Sequence, residues 1–100
     1  ADVLYAPGLP DLETVRTVCA AVGKPINVVM GLPGPVFSAA DLAAAGVKRI
    51  SVGASLARRA YGILIEAARE IRGEGTFGYS RKAMGFAEIE QHFTGQRVTG

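Results

Sequence analysis

Apolar side chains in the first half of this chain gather into three short runs, each stopped by glycine or proline. The runs are Val3-Leu4-Tyr5-Ala6 before Pro7-Gly8, Ile26-Asn27-Val28-Val29-Met30 before Gly31, and Arg49-Ile50-Ser51-Val52 before Gly53. Short runs rich in β-branched residues and bounded by Gly or Pro predict buried β-strands. Between them the period changes. Leu12, Val15, Val18, Cys19 and Val22 recur at helical spacing, which predicts an amphipathic helix. Asp11 is placed to cap that helix, and Gly23 to stop it in the left-handed conformation, with Pro25 just beyond. Ser38 with Asp41 three residues later resembles a capping box. It predicts a short Ala-rich helix that runs to Ala45 and ends at Gly46. The longest helix is predicted from Leu56 to about Ile71, with Leu56, Ala60, Leu64, Ala67, Ala68 and Ile71 among its apolar positions.

Strand starts repeat about every 24 residues, close to what a strand and its crossover helix require. The β-α-β-α-β-α order implies a parallel sheet with right-handed connections. The fold class is therefore α/β, with three consecutive βα units. They belong either to a parallel (β/α) barrel or to a small open doubly wound sheet, and the spacing does not separate the two. The stretch from Gly73 to Gly78 breaks the pattern. Beyond it, residues 83–93 predict one more short helix carrying Met84, Ala87 and Phe93. This tail does not repeat the βα spacing and reads as an arm that packs on another subunit. The expected division is thus residues 1–76 for the βα units and 77–100 for the arm. The chain opens inside its first strand, with neither an initiator Met nor a leader. That sets the expectation of one piece of a larger enzyme, with much of the catalytic equipment elsewhere.

Composition sharpens this in three places. Apolar residues make up 49% and charged residues only 20%, as expected where parallel strands are covered on both faces. A net charge of +2, with no segment interleaving basic and aromatic residues, argues for no nucleic-acid partner. No apolar run approaches the roughly 18 residues of a membrane span, so none is expected to cross one. The single cysteine, Cys19, has no partner for an internal disulfide and fits a reducing, cytoplasmic setting.

In either architecture the active site lies at the C-terminal ends of the strands. Three stretches qualify: Ala6-Pro7-Gly8, Met30-Gly31-Leu32-Pro33-Gly34 and Gly53-Ala54-Ser55. None carries an acid, a His, a Cys or a Lys. A Mg²⁺ site needs carboxylates and a general base needs a titratable group, so no catalytic residue and no metal ligand is expected here. Gly53-Ala54-Ser55 opens a helix, where free backbone N–H groups and a hydroxyl suit a phosphate or carboxylate. The same residues also fit an ordinary Ser cap after a tight turn. Pro7, Gly8, Asn27 and Gly31 are candidates for the wall of such a site. Arg58 and Arg59 read as a solvated helix face, Cys19 as core, and His92 as a surface residue without metal-ligand partners.

Several of these segments together resemble the isocitrate lyase/phosphoenolpyruvate mutase superfamily. They are the run from Ala1 to Leu9, Lys24-Pro25-Ile26-Asn27-Val28, Ala44-Ala45-Gly46-Val47-Lys48-Arg49-Ile50-Ser51-Val52-Gly53, Ala57-Arg58-Arg59-Ala60-Tyr61-Gly62 and Gly75-Thr76-Phe77. The resemblance covers essentially the whole chain and matches the last three βα units of the family's barrel. It implies a barrel of roughly 250 or more residues that makes or breaks C–C or P–C bonds of small 2-oxo acids of the pyruvate or phosphoenolpyruvate type. The shared strategy is a Mg²⁺-bound enolate, whose metal ligands the family places on earlier strands. It also implies a homo-oligomer joined through the C-terminal helices. The match has departures. Family lyases end the first of these strands with Glu, and phosphonate mutases with His, where this chain has Pro7. A frequent Asn near the end of the second strand is replaced by Val29, with Asn27 two residues earlier on the same face. Ser55 is the family position most directly retained. These changes point to a phosphonomutase-like branch rather than a standard isocitrate or methylisocitrate lyase. Two competing expectations are a phosphate-binding barrel acting on sugar or heterocycle phosphates, and a non-catalytic flavodoxin-like module.

Overall fold

The computed structural model describes residues 1–95; the last five residues of the expected arm lie outside them. Strand β1 (Leu4–Tyr5), helix α1 (Leu12–Ala21), β2 (Ile26–Val29), α2 (Ala39–Ala44), β3 (Arg49–Ser51) and helix α3 (Ser55–Glu74) follow in order. A short 3₁₀ helix (Gly78–Lys82) and α4 (Phe86–Thr94) complete the described chain. All three strands are parallel and lie side by side in chain order, β1-β2-β3. Leu4 pairs with Ile26 and Tyr5 with Asn27; Asn27 in turn pairs with Arg49, Val28 with Ile50 and Val29 with Ser51. A flavodoxin-like sheet reverses its strand order at a switch point. These three strands show no such reversal, which counts against the flavodoxin-like expectation.

The chain divides into two compact units, Ala1–Tyr61 and one beginning at Gly62. The division falls inside α3. In the first unit, Val15 of α1 and Leu42 of α2 close over Ile26 and Val28 of β2, with Ala45 and Val47 completing a buried cluster. Cys19 packs at its edge, as expected of a core thiol. In the second unit Glu70 accepts the Tyr79 backbone N–H at 3.5 Å, and Phe77, Phe86 and Phe93 are exposed.

Local chemistry explains where the helices begin and end. The Asp11 side chain accepts the Thr14 backbone N–H at 2.7 Å, satisfying one of the orphan donors at the start of α1. Ser38 does the same for Asp41 N–H at 3.0 Å. Helix α2 ends in a Schellman closure. Val47 N–H donates to Leu42 O and Gly46 N–H to Ala43 O, both at 3.0 Å, while Gly46 takes φ +103°. Val47 and Leu42 are both buried there, so the closure also seals the core. The end of α1 differs from expectation. Val22 leaves the helix into extended backbone, and Gly23 is not left-handed. A β-branched residue favours extended backbone, and Pro25 steers its predecessor the same way, so no left-handed residue is needed. Helix α3 starts one residue earlier and ends three later than expected, and none of its residues is buried. Leu56 is 75% and Leu64 63% exposed, so this chain leaves the apolar positions of α3 open.

The hydrogen bonds from Thr14 hold the Asp11 carboxyl below its ordinary pKa. The folded state therefore binds this proton less well than the unfolded chain. The cap's contribution is complete above about pH 5, a unit over the ordinary carboxylate value, and fades as pH falls through that value toward the lowered one. The stability difference between wild type and Asp11→Ala is expected to shrink on titration from about pH 6 to about pH 3. An Asp11→Asn variant, which keeps a capping oxygen, is expected to show a flatter profile. Thermal melts across the series measure both, and a pH-independent Asp11→Ala difference would contradict the assignment.

Candidate functional site

The parallel sheet places the C-terminal ends of its three strands on one edge. Pro7 and Gly8 lie exposed beyond β1, after Ala6 N–H makes its ladder bond to Asn27 O at 3.2 Å. Gly31 lies beyond β2, whose ladder continues with Met30 N–H donating to Ser51 O at 2.8 Å. Gly53-Ala54-Ser55 lies between β3 and α3. The structure brings Gly31 and Ser55 into direct contact. A Cβ on Gly31 would sit 2.5 Å from Ser55 Cβ, 2.6 Å from Ser55 Oγ and 3.1 Å from Val52 O. Gly31 also adopts φ +89°, a conformation that only glycine takes without strain.

At Gly53-Ala54-Ser55 the details differ from a simple cap. Ser55 N–H already donates to Val52 O at 3.1 Å, and the first bond of α3 runs from Arg58 N–H to Ala54 O at 2.8 Å. Ala54 therefore occupies the capping position and Ser55 is the first helical residue. The Ser55 hydroxyl faces Gly31 instead of closing the helix end. Arg58, one turn further on, is not simply a solvated residue. Its Nη1 donates to Gly31 O at 3.4 Å, which ties the loop after β2 to the start of α3.

A second group lies on the sheet face opposite the α1 and α2 core. Asn27 is buried, and both ends of its amide are used. Its Nδ2 donates to Ser51 Oγ at 3.0 Å, and its Oδ1 accepts from Arg49 Nη1 at 3.1 Å. These residues line an open hollow of about 300 Å³ together with Val3, Leu4 and Tyr5. The expectation of strands apolar on both faces therefore holds only in part, since one face carries Asn27, Arg49 and Ser51 among apolar neighbours. Asn27 sits at the second residue of β2, well inside the strand rather than at its end. Sequence reasoning passed over Arg49 and Ser51. The signal was the strict alternation Arg49-Ile50-Ser51-Val52, the period of a strand with two unlike faces.

The chemistry of both groups is one-sided. Guanidinium, hydroxyl and amide groups are present, and no carboxylate is. Mg²⁺ takes oxygen ligands that include carboxylates, so these residues do not fit it. Among the described residues no three His, Cys, Asp or Glu side chains gather as a metal site. No helix among them is long and apolar enough to cross a membrane.

Residues 1–72 match the family model described as phosphoenolpyruvate phosphomutase. No curated protein matches the chain. Among solved structures, a protein from Burkholderia cenocepacia J2315 classed as a lyase/mutase is 50% identical, with a TM-score of 0.86 over 93% of this chain and 34% of its own. A 2,3-dimethylmalate lyase of the PEP mutase/isocitrate lyase superfamily is 23% identical, with a TM-score of 0.70 over 95% of this chain and 37% of its own. An oxaloacetate acetylhydrolase bound to oxalate is 19% identical, with a TM-score of 0.71 over 95% of this chain and 37% of its own. The last two show the fold alone. The chain spans little more than a third of the length of each of these structures.

Proposed function

We propose, since this chain belongs to the phosphoenolpyruvate phosphomutase family of the isocitrate lyase/PEP mutase superfamily, that it is the closing part of a lyase or phosphonomutase-like enzyme acting on small 2-oxo acids or malate-type carboxylates. In this reading the three βα units form one arc of a closed barrel in a cytoplasmic protein. The observation that carries it is the family match over residues 1–72, which takes in all three strands and nearly all of α3. The strand order adds support, because a barrel adds its strands in sequence. The family match also favours this reading over a sugar-phosphate barrel.

The role of this chain in the reaction follows from its donors. It offers no group able to take or give a proton near neutral pH at the strand ends. It supplies an anion-facing wall, with Ser55 and Arg58 fixing the edge around Gly31. Proton transfer, and any Mg²⁺ the family's chemistry requires, depend on residues outside this chain. No step assigned to Gly31, Ser55 or Arg58 runs through a metal.

The test uses the full-length gene product. It is incubated with oxaloacetate, 2,3-dimethylmalate and phosphonopyruvate, and products are followed by NMR, with ³¹P detection for P–C cleavage. Turnover of at least one of these is expected. Light scattering on the same preparation is expected to read an oligomer, in keeping with the proposed pairing through the C-terminal helices. Turnover of a sugar phosphate and of none of the three carboxylates would refute the proposal.

A further inference from the structure

We infer that Arg49, Asn27 and Ser51 form a carboxylate-binding subsite inside the sheet, beneath the strand-end edge. Arg49 and Asn27 are lateral neighbours on β3 and β2, and Ser51 stands one side-chain repeat further along β3, roughly 7 Å nearer the strand end. The buried Asn27 amide sets the arrangement. Its Oδ1 accepts from Arg49 Nη1 and its Nδ2 donates to Ser51 Oγ. The Asn27 carbonyl is thereby spent on the guanidinium and the Ser51 oxygen on the amide. What remains directed into the hollow is donors: the other guanidinium N–H groups and the Ser51 O–H, with the Tyr5 phenol on the same lining.

The residues of this face are Val3, Tyr5, Asn27, Val29, Arg49 and Ser51, and none of them is acidic. Arg49 is exposed in this chain, and a guanidinium flanked only by neutral side chains favours an anion beside it. Its planar fork suits the two oxygens of a carboxylate. The hollow is open and about 300 Å³, which leaves room for a small acid. The choice of a substrate carboxylate as the anion rests on the function proposed above. The geometry by itself points only to an anion.

The experiment titrates oxalate and pyruvate, and separately inorganic phosphate, into the full-length protein by calorimetry. Wild type is compared with Arg49→Gln, Arg49→Lys and Ser51→Ala, and each variant is checked by circular dichroism and thermal melting. The expected result is carboxylate binding weakened tenfold or more by Arg49→Gln, less by Arg49→Lys, and a few-fold by Ser51→Ala, with the fold retained. If wild type binds carboxylates and Arg49→Gln binds them equally while melting lower, the inference falls. Arg49 is then the internal partner of an acid from another part of the barrel, and the proposed function stands. If Arg49→Gln does not fold, Arg49→Lys and Ser51→Ala decide, and unchanged affinity in both overturns the inference. If wild type binds phosphate and no carboxylate, the inference and the proposed substrate class fall together.

Discussion

Replacing Gly31 by alanine is expected to destabilise the full-length protein by roughly 2–5 kcal/mol. Two independent costs add. At φ +89° an L side chain is strained, by roughly 1–2 kcal/mol for a left-handed backbone. The new methyl also has no room, since it falls 2.5 Å from Ser55 Cβ and 3.1 Å from Val52 O. Overpacking of this kind costs typically about 1–3 kcal/mol. The first residue of α3 must then move off the end of β2, and the 3.4 Å bond from Arg58 to Gly31 O goes with it. Denaturant melts of Gly31→Ala, Ser55→Gly and the double variant separate the two costs. Ser55→Gly removes the side chain that the methyl strikes and leaves the backbone strain in place. The double variant should therefore recover the packing part alone. A Gly31→Ala protein within about 0.5 kcal/mol of wild type, the range of a neutral surface change, would show that strand β2 and helix α3 do not approach as described.

Leu42→Ala is expected to cost about 3 kcal/mol, within the range of buried leucine truncations. Leu42 is fully buried between α1 and the sheet, against Val15, Ile26 and Val28. Its backbone carbonyl also receives Val47 N–H in the closure of α2, so the cavity opens where the chain turns into β3. The surrounding residues are already held by strand pairing and by the Gly46 turn, which limits how far they can collapse into the gap. Leu42→Met, which nearly conserves volume, should cost less than about 1.5 kcal/mol. Equilibrium unfolding of the two variants measures the difference. Equal losses would show that the position is not a close-packed one.

Much of the first unit could be read from residue order. Asp11 and Ser38 cap the helices that their positions announced, Gly46 stops α2, and the three apolar runs became three parallel strands. These features depend on neighbours a few residues away, so the local sequence contains their causes. Gly23 misled because a helix can stop without a left-handed residue when the chain itself prefers to extend. Arg58 misled because its partner, the Gly31 carbonyl, lies 27 residues away in the sequence. The apolar positions of α3 were legible as a stripe, but not as a stripe this chain leaves uncovered. The candidate site was half legible. Gly31 and Ser55 were each marked by type and place, while their contact was not. Asn27 was marked, but its two partners were missed.

The sequence by itself determined the α/β class, the number and order of the βα units, the capping residues and the family. Each is encoded by periodicity, by single-residue backbone preference or by a run of matching residues. Only the tertiary structure decided that Gly31 must be glycine because Ser55 stands against it, and that Asn27 joins Arg49 to Ser51 across two strands. Both are consequences of register. A parallel sheet brings together residues more than twenty positions apart, and the side chains that meet are fixed by strand pairing, which no local pattern records.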